Sequence, residues 1–443
     1  MPAEPHGLVI AATASGSGKT TLTLGLLRAL RRRGYRVSGT KVGPDYIDPG
    51  FHAQATGRAA YNLDPWAMSR GLQRHLFRQA GEDSDLVLVE GVMGLFDAAS
   101  NGLGSTADLS IQLGLPVILV VDVRGQAQSI AALVEGFCGH RPELNLGGLV
   151  LNRVGSSFHM DMLRDALEPL GVPLLGGIPR DTDLALPDRH LGLVQAGEHQ
   201  DLEAFLERAA DCMDEHLDLD ALACMAVPAR GEGAETISSR DLPNPPGQKV
   251  SIARDTCFSF LYPHLLHHWR SAGAELHFFS PLKDESPRQD ADAIYLPGGY
   301  PELHAEGLSQ ARQFRQAMMD AGERGVFIYG ECGGFMTLGD CLTDGKGRAF
   351  PMLGLLPLHT SFEQPRLHLG YRRLQTCRPM PFWKASGHYL AGHEFHYANT
   401  VESGAAASLF KVWDARGRER EEAGLVRGSV AGSFLHLISG YPE

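Results

Sequence analysis

A cysteine set between glycines, Gly330-Glu331-Cys332-Gly333-Gly334, follows the apolar run Gly325-Val326-Phe327-Ile328 and precedes Phe335-Met336-Thr337-Leu338. The apolar run reads as a buried strand, and the residues after the glycines can begin a helix. A strand–turn–helix of this kind lifts one side chain out of a tight bend, which small flanking residues allow. A thiol there suits nucleophilic acyl transfer, and the N-terminus of a helix favours its thiolate. A lone cysteine in a glycine turn is more often structural, but this setting shifts the reading of Cys332 to nucleophile. Two other stretches complete the chemistry. The turn Leu296-Pro297-Gly298-Gly299 exposes backbone N–H groups, so Gly299 and Gly333 are candidate donors to an oxyanion. Gly432-Ser433-Phe434-Leu435-His436-Leu437 reads as one strand bearing His436, the candidate base; His393 and His396 are rivals.

A second centre stands near the start. Leu8-Val9-Ile10-Ala11-Ala12 reads as a strand, Thr13-Ala14-Ser15-Gly16-Ser17-Gly18-Lys19-Thr20-Thr21 as a phosphate-binding loop, and Leu22 to Leu30 as a helix. Thr13 replaces the usual first glycine, yet Gly16 and Gly18 still let N–H groups converge on phosphate oxygens. Ser15, Gly16, Ser17, Gly18, Lys19, Thr20 and Thr21 are therefore candidate ATP contacts, Lys19 for the outer phosphates and Thr20 for Mg²⁺. Asp85-Leu86-Val87-Leu88-Val89-Glu90 ends a strand on an acid, which places Glu90 on the metal side, with Asp97 second. In Lys41-Val42-Gly43-Pro44-Asp45-Tyr46-Ile47-Asp48-Pro49, Asp45 or Asp48 would serve as a metal or intermediate ligand. Asn152, just past a strand end, could read an adenine edge.

The apolar runs at 117–121, 146–151 and 174–178 alternate with helical stretches, so the first half reads as a mostly parallel α/β sheet. Pro228, Pro243, Pro245, Pro246 and Gly247 punctuate a linker over 228–248, and a second α/β pattern begins at Lys249. This divides the chain into residues 1–227, the linker, and 249–443. With 443 residues and seven widely spaced cysteines, the chain suits a multidomain protein of a reducing compartment. A net charge of -12 gives no broad face for nucleic acid. No apolar run is long enough to cross a bilayer, and no leader pattern opens the chain. A cytoplasmic protein is expected.

A nucleotide site in one half and a Cys/His pair in the other suggest that one domain releases ammonia from glutamine and the other uses ATP to install it. The C-terminal half resembles a class I glutamine amidotransferase domain through Pro297-Gly298-Gly299, Gly330-Glu331-Cys332-Gly333-Gly334 and His436. The N-terminal half is similar to the dethiobiotin-synthetase-like P-loop enzymes. Over nearly its full length the chain resembles the a,c-diamide synthases of the corrin pathway. That likeness rests on Lys41 to Pro49, Glu90-Gly91-Val92-Met93-Gly94-Leu95-Phe96-Asp97, Arg189-His190-Leu191-Gly192-Leu193 and Leu367-His368-Leu369-Gly370-Tyr371-Arg372.

The resemblance implies ATP- and glutamine-dependent amidation of the a and c acetates of hydrogenobyrinate through acyl phosphates, with cobyrinate as the alternative substrate. It implies Cys332 and His436 as a dyad, Gly299 and Gly333 as oxyanion donors, and Mg²⁺ held by Thr20, Glu90 and Asp45. Asp48, Asp97 and Arg189 are candidates toward the tetrapyrrole or the intermediate. Most class I domains carry Glu two residues after the histidine, where this chain has Ile438. A homodimer is left open, as is a P-loop ATPase whose second domain only binds.

Overall fold

The computed structural model describes residues 4–181, 184, 188–189, 192–193, 198, 201–230, 237, 240–383 and 387–442, without side chains at 188–189 and 192–193. It forms two compact units, Met1–Ile237 and Ser238–Glu443.

The main sheet of the first unit holds β1 (His6–Ala12), β2 (Val37–Val42), β3 (Tyr61–Leu63), which the sequence pattern did not show, β4 (Leu86–Glu90), β5 (Val117–Asp122), β6 (Leu146–Val154) and β7 (Leu174–Pro179). They lie in the order β3-β2-β4-β1-β5-β6-β7, all parallel. β2 and β4 are buried at every position, as strands covered on both faces must be. Helix α1 (Lys19–Arg32) packs its leucines against the helix Leu202–His216, where Leu26, Leu27, Phe205, Leu206 and Met213 share one core. Gly25 lets the two axes close up, since a Cβ there would lie 2.8 Å from the Ala209 carbonyl oxygen. Arg31-Arg32-Arg33 ends α1, and Arg32 and Arg33 pair with Asp211 and Asp214 at 2.7 and 2.8 Å. Since β1, β2 and β4 run in parallel, Gly18, Lys41 and Glu90 all leave the sheet at its carboxyl edge, the usual ligand edge of such folds.

The segment read as a linker is partly built into both units. Val227–Pro228 pairs antiparallel with the start of β1. Asn244 donates its backbone N–H to the Phe382 carbonyl at 3.0 Å, and the Pro243 carbonyl accepts from the Trp269 indole at 3.1 Å.

In the second unit, Lys249–Ala253, Glu275–Phe279, Ala293–Leu296, Phe327–Glu331 and Val430–Ser433 are parallel neighbours. Five antiparallel strands between Glu419–Arg427 and Leu435–Gly440 extend this sheet to ten. The stretch Gly432 to Leu437 is therefore two strands and not one. Val430–Ser433 pairs parallel with the strand that carries Glu331, and Leu435–Gly440 pairs antiparallel with Tyr389–His396. Phe434 sits at the break, its ring 5.2 Å from Phe335 and 4.0 Å from His396.

Candidate functional site

Cys332 occupies the bend between the strand Phe327–Glu331 and the helix Gly333–Leu338, with φ 47° and ψ -104°. A non-glycine residue in the left-handed region stores roughly 1–3 kcal/mol, which the surroundings must hold in place. Its N–H donates to Ser433 O at 2.8 Å, and that of Gly334 to Pro297 O at 3.0 Å. The glycines are a matter of space: a Cβ on Gly334 would stand 1.9 Å from Leu296 O, and one on Gly333 would stand 3.0 Å from Gly299 N. That close approach aims the N–H groups of Gly333 and Gly299 at the sulphur. Burial pushes the Cys332 thiol well up, the Glu302 charge adds to the rise, and the two N–H groups only partly oppose it. The expected thiolate is thus corrected. A six-residue helix does not outweigh full burial, and the resting group is a thiol whose S–H faces Phe395 O at 3.8 Å.

His436 is set beside the same glycine as this thiol. A Cβ at Gly298 would lie 2.5 Å from His436 Cε1 and 3.3 Å from Cys332 Cβ, so imidazole and thiol converge over a glycine. Burial, then the charges of His393 and His396, hold His436 well below the usual histidine range, which leaves it a neutral base. His393 lies opposite on the neighbouring strand, its own pKa drawn to about 4 by burial and by Arg372. His396 is engaged by Ala398 O at 3.1 Å and Glu394 at 3.0 Å. His368, Glu394 and His396 bring ligand-type atoms within 4.8 Å of one another. The two rings are stacked 4.6 Å apart at 5°, and Arg372 already holds Glu394 at 2.6 Å, so these lone pairs do not converge as a metal shell does. Ile438 leaves no acid two residues after His436, but Glu331 Oε2 lies 3.8 Å from its Nδ1. We expect Gly298→Ala to displace the imidazole and lower glutamine hydrolysis about 10²-fold while sparing ammonia-driven turnover; parallel kinetics with the two nitrogen sources would check this.

In the first unit the phosphate loop turns on Gly16 (φ 75°) and Gly18 (φ 85°). A cavity of about 350 Å³ is lined by Gly16, Gly18, Lys19, Thr20, Thr21 and Asn152, among others. Ser15 and Ser17 line a neighbouring opening with Asp122 and Arg124. Ser17 Oγ donates to Ala14 O at 2.8 Å, and Thr21 Oγ1 to Leu184 O at 3.3 Å. Asn152 Nδ2 donates to Ser17 O at 2.7 Å. Its amide braces the loop, and reading an adenine would require that bond to open. Arg153, which the sequence reading passed over, joins the loop by donating to Gly16 O at 2.9 Å and pairing with Asp122 at 2.5 Å.

Glu90 is fully buried, and Oε1 accepts from Thr20 Oγ1 at 2.6 Å and Lys41 Nζ at 2.8 Å. His52 Nε2 lies 2.7 Å from Glu90 Oε2. Lys41 Nζ is also 2.5 Å from Asp48 Oδ2. The acid beside Thr20 and Glu90 is therefore Asp48 and not Asp45. Asp45 Oδ1 is spent on the N–H groups of Ile47 and Asp48 at 2.7 and 3.0 Å, at the start of α2 (Asp48–Thr56). Burial opposes the charge on Lys41, but Asp48, Glu90 and Asp45 raise its pKa above the ordinary range. Burial would raise Glu90, yet Lys41 and His52 hold it well below. Burial and then Asp45 push Asp48 up to about 7. Asp97 clasps its own loop, with Oδ2 accepting from Gly94 N–H at 2.8 Å. Arg189 lies on the short ladder Asp188–Arg189 with Gly192–Leu193; its side chain lies outside the described residues. Arg373, on the strand His368–Thr376, stacks over Trp413 at 4.9 Å.

The two sites correspond to two family matches. Residues 8–194 match the CobQ/CobB/MinD/ParA nucleotide binding domain, and residues 249–442 the CobB/CobQ-like glutamine amidotransferase domain. A P-loop nucleotide fold and an amidotransferase fold in one chain define a glutamine-dependent amidating ligase. Relatives match from end to end. The hydrogenobyrinate a,c-diamide synthase of Brucella anthropi is 56% identical over 433 residues, 98% of each chain. That of Rhizobium meliloti is 52% identical, over 98% of this chain and 99% of its own. That of Rhodobacter capsulatus is 50% identical, over 99% of this chain and 100% of its own. The chain belongs to the hydrogenobyrinate a,c-diamide synthase family. Among the described residues no helix is long and apolar enough to cross a membrane, and all seven cysteines are free.

Proposed function

We propose that this chain amidates the a and c acetate carboxylates of hydrogenobyrinate, using two ATP and two glutamine. The observation that carries the reading is the pairing of a phosphate-loop site and a thiol–imidazole site in a chain 50–56% identical to such synthases. In the second unit Cys332 sulphur attacks the glutamine side-chain carbonyl carbon as its proton passes to His436. The N–H groups of Gly299 and Gly333 bind the oxyanion. The tetrahedral adduct expels ammonia, which takes the proton from His436, and water cleaves the thioester to glutamate and free thiol. In the first unit a substrate carboxylate oxygen attacks the γ-phosphorus of ATP and ADP leaves. Ammonia then attacks the acyl phosphate carbon, phosphate departs, and an amide remains.

Lys19, Gly16, Gly18 and the serines of the loop hold the phosphates. Mg²⁺ suits Thr20, Glu90 and Asp48, since Asp48 Oδ1 is buried with no hydrogen-bond partner among the described residues. Bound there, the ion would neutralise phosphate charge as it develops. The test is to offer hydrogenobyrinate and cobyrinate separately with Mg-ATP and glutamine and to read products by mass. Two successive replacements of acid by amide on hydrogenobyrinate are expected. Turnover of cobyrinate alone would move the protein to the cobalt-bearing substrate.

A further inference from the structure

The strand that bears His436 brings no acid of its own to the imidazole. Position 438 is isoleucine; the neighbouring strand sets His393 beside the ring and contributes the charge of Glu394, which Arg372 and His396 already engage. The carboxyl that reaches the ring comes from the nucleophile's side of the site. We infer that Glu331 is the positioning residue for His436: its carboxyl against Nδ1 keeps the proton there and the lone pair on Nε2, and steadies the imidazolium formed when Nε2 takes the Cys332 proton.

Three observations support this. Glu331 is only 2% exposed, so its oxygens must be satisfied from within. Tyr295 OH donates to Oε2 at 2.9 Å, and the Leu437 N–H donates to Oε1 at 3.3 Å. One carboxyl thus grips the backbone beside His436 through one oxygen and faces its ring through the other. Register fixes this arrangement, because Glu331 lies opposite Ser433, just before the break that turns the chain back toward His436. The 3.8 Å from Oε2 to Nδ1 is within ion-pair reach, and such contacts tighten when substrate closes the site. Burial pushes Glu331 up to about 8, against the pull of Tyr295 and the Leu437 N–H. As a carboxylate it accepts from Nδ1–H, and an imidazolium beside it favours that charged form. Burial also keeps Tyr295 a phenol, able to donate throughout. The inference rests on Cys332 and His436 being the glutaminase pair.

The test uses the full chain, with glutamine hydrolysis and ammonia-driven amidation measured side by side. Glu331→Gln keeps the shape but cannot neutralise an imidazolium. Its kcat for glutamine is expected to fall about 10²-fold with KM within about twofold and ammonia-driven amidation unchanged. Added to His436→Ala, it should cost nothing further, because it acts through that ring. A kcat within threefold of the parent, or a loss that adds in full to that of His436→Ala, would overturn the inference. Should Glu331→Gln fail the ammonia control, Glu331→Asp takes its place: the shorter side chain should show the same kcat loss at unchanged KM, and the parent's kcat would count against the inference. Cys332→Ala is run in the same series. If it retains glutaminase, the dyad reading itself fails; if it is inactive while Glu331→Gln is not, only the role of Glu331 falls.

Discussion

Cys332→Ala is expected to lower glutamine hydrolysis and glutamine-driven amidation by roughly 10⁴-fold or more, while ammonia-driven amidation stays within about twofold of the parent. The alanine keeps the Cβ that stands above Gly298 and removes only the sulphur. The loop should hold its shape, because the backbone bonds to Ser433 and Pro297 do not involve that atom. What remains is an oxyanion pocket with no nucleophile. Steady-state assays with glutamine and with ammonium salts decide the matter. Loss of activity with both nitrogen sources would contradict the division of labour between the two units.

Both sites were legible in the sequence where a backbone shape dictates residue type. The phosphate loop needs Gly16 and Gly18 at positive φ, and the thiol bend needs glycines at 333 and 334 because no Cβ fits there. Glu90 was legible too, since an acid at the carboxyl end of a buried strand has few other reasons to be there. What spacing did not disclose depends on which neighbour a side chain meets. Asp45 and Asp48 look equivalent in sequence, and only the helix start at Asp48, whose N–H donates to Asp45 Oδ1, turns one of them toward Thr20. Glu331 reads as part of the glycine turn until Tyr295 and His436, from two distant strands, close around it. The antiparallel strands of the second unit carry no clean alternation. Glu419–Arg427 opens on a charged run with its first four residues exposed, so a period of two was not visible. The apparent strand from Gly432 to Leu437 hides a break, because Phe434 is as apolar as its neighbours and nothing local marks the change of partner.

Lys19→Ala is expected to lower amidation by roughly 10³-fold or more with glutamine and with ammonia alike, and to leave glutamine hydrolysis in place. Lys19 is buried; that burial and the nearby charge of Lys41 lower its pKa, against Glu90, Asp48 and Asp45. Its Nζ rests on Met93 O at 3.2 Å, a neutral acceptor. A cation held this way is poorly compensated until anionic oxygens arrive, so the phosphates of a nucleotide would favour its charged form and gain most from it. Lys41 cannot take over, because Asp48 and Glu90 already hold its Nζ at 2.5 and 2.8 Å. Without Lys19 the negative charge that develops on the transferring phosphoryl group faces Glu90 and Asp48 with one cation fewer, and the barrier rises whichever source supplies nitrogen. Measuring ADP release together with amide formation separates the cases. A variant that still amidates with ammonia would mean that the carboxylate is activated elsewhere than at this loop. One that hydrolyses glutamine but forms neither ADP nor amide would place carboxylate activation at Lys19 and nitrogen release at Cys332.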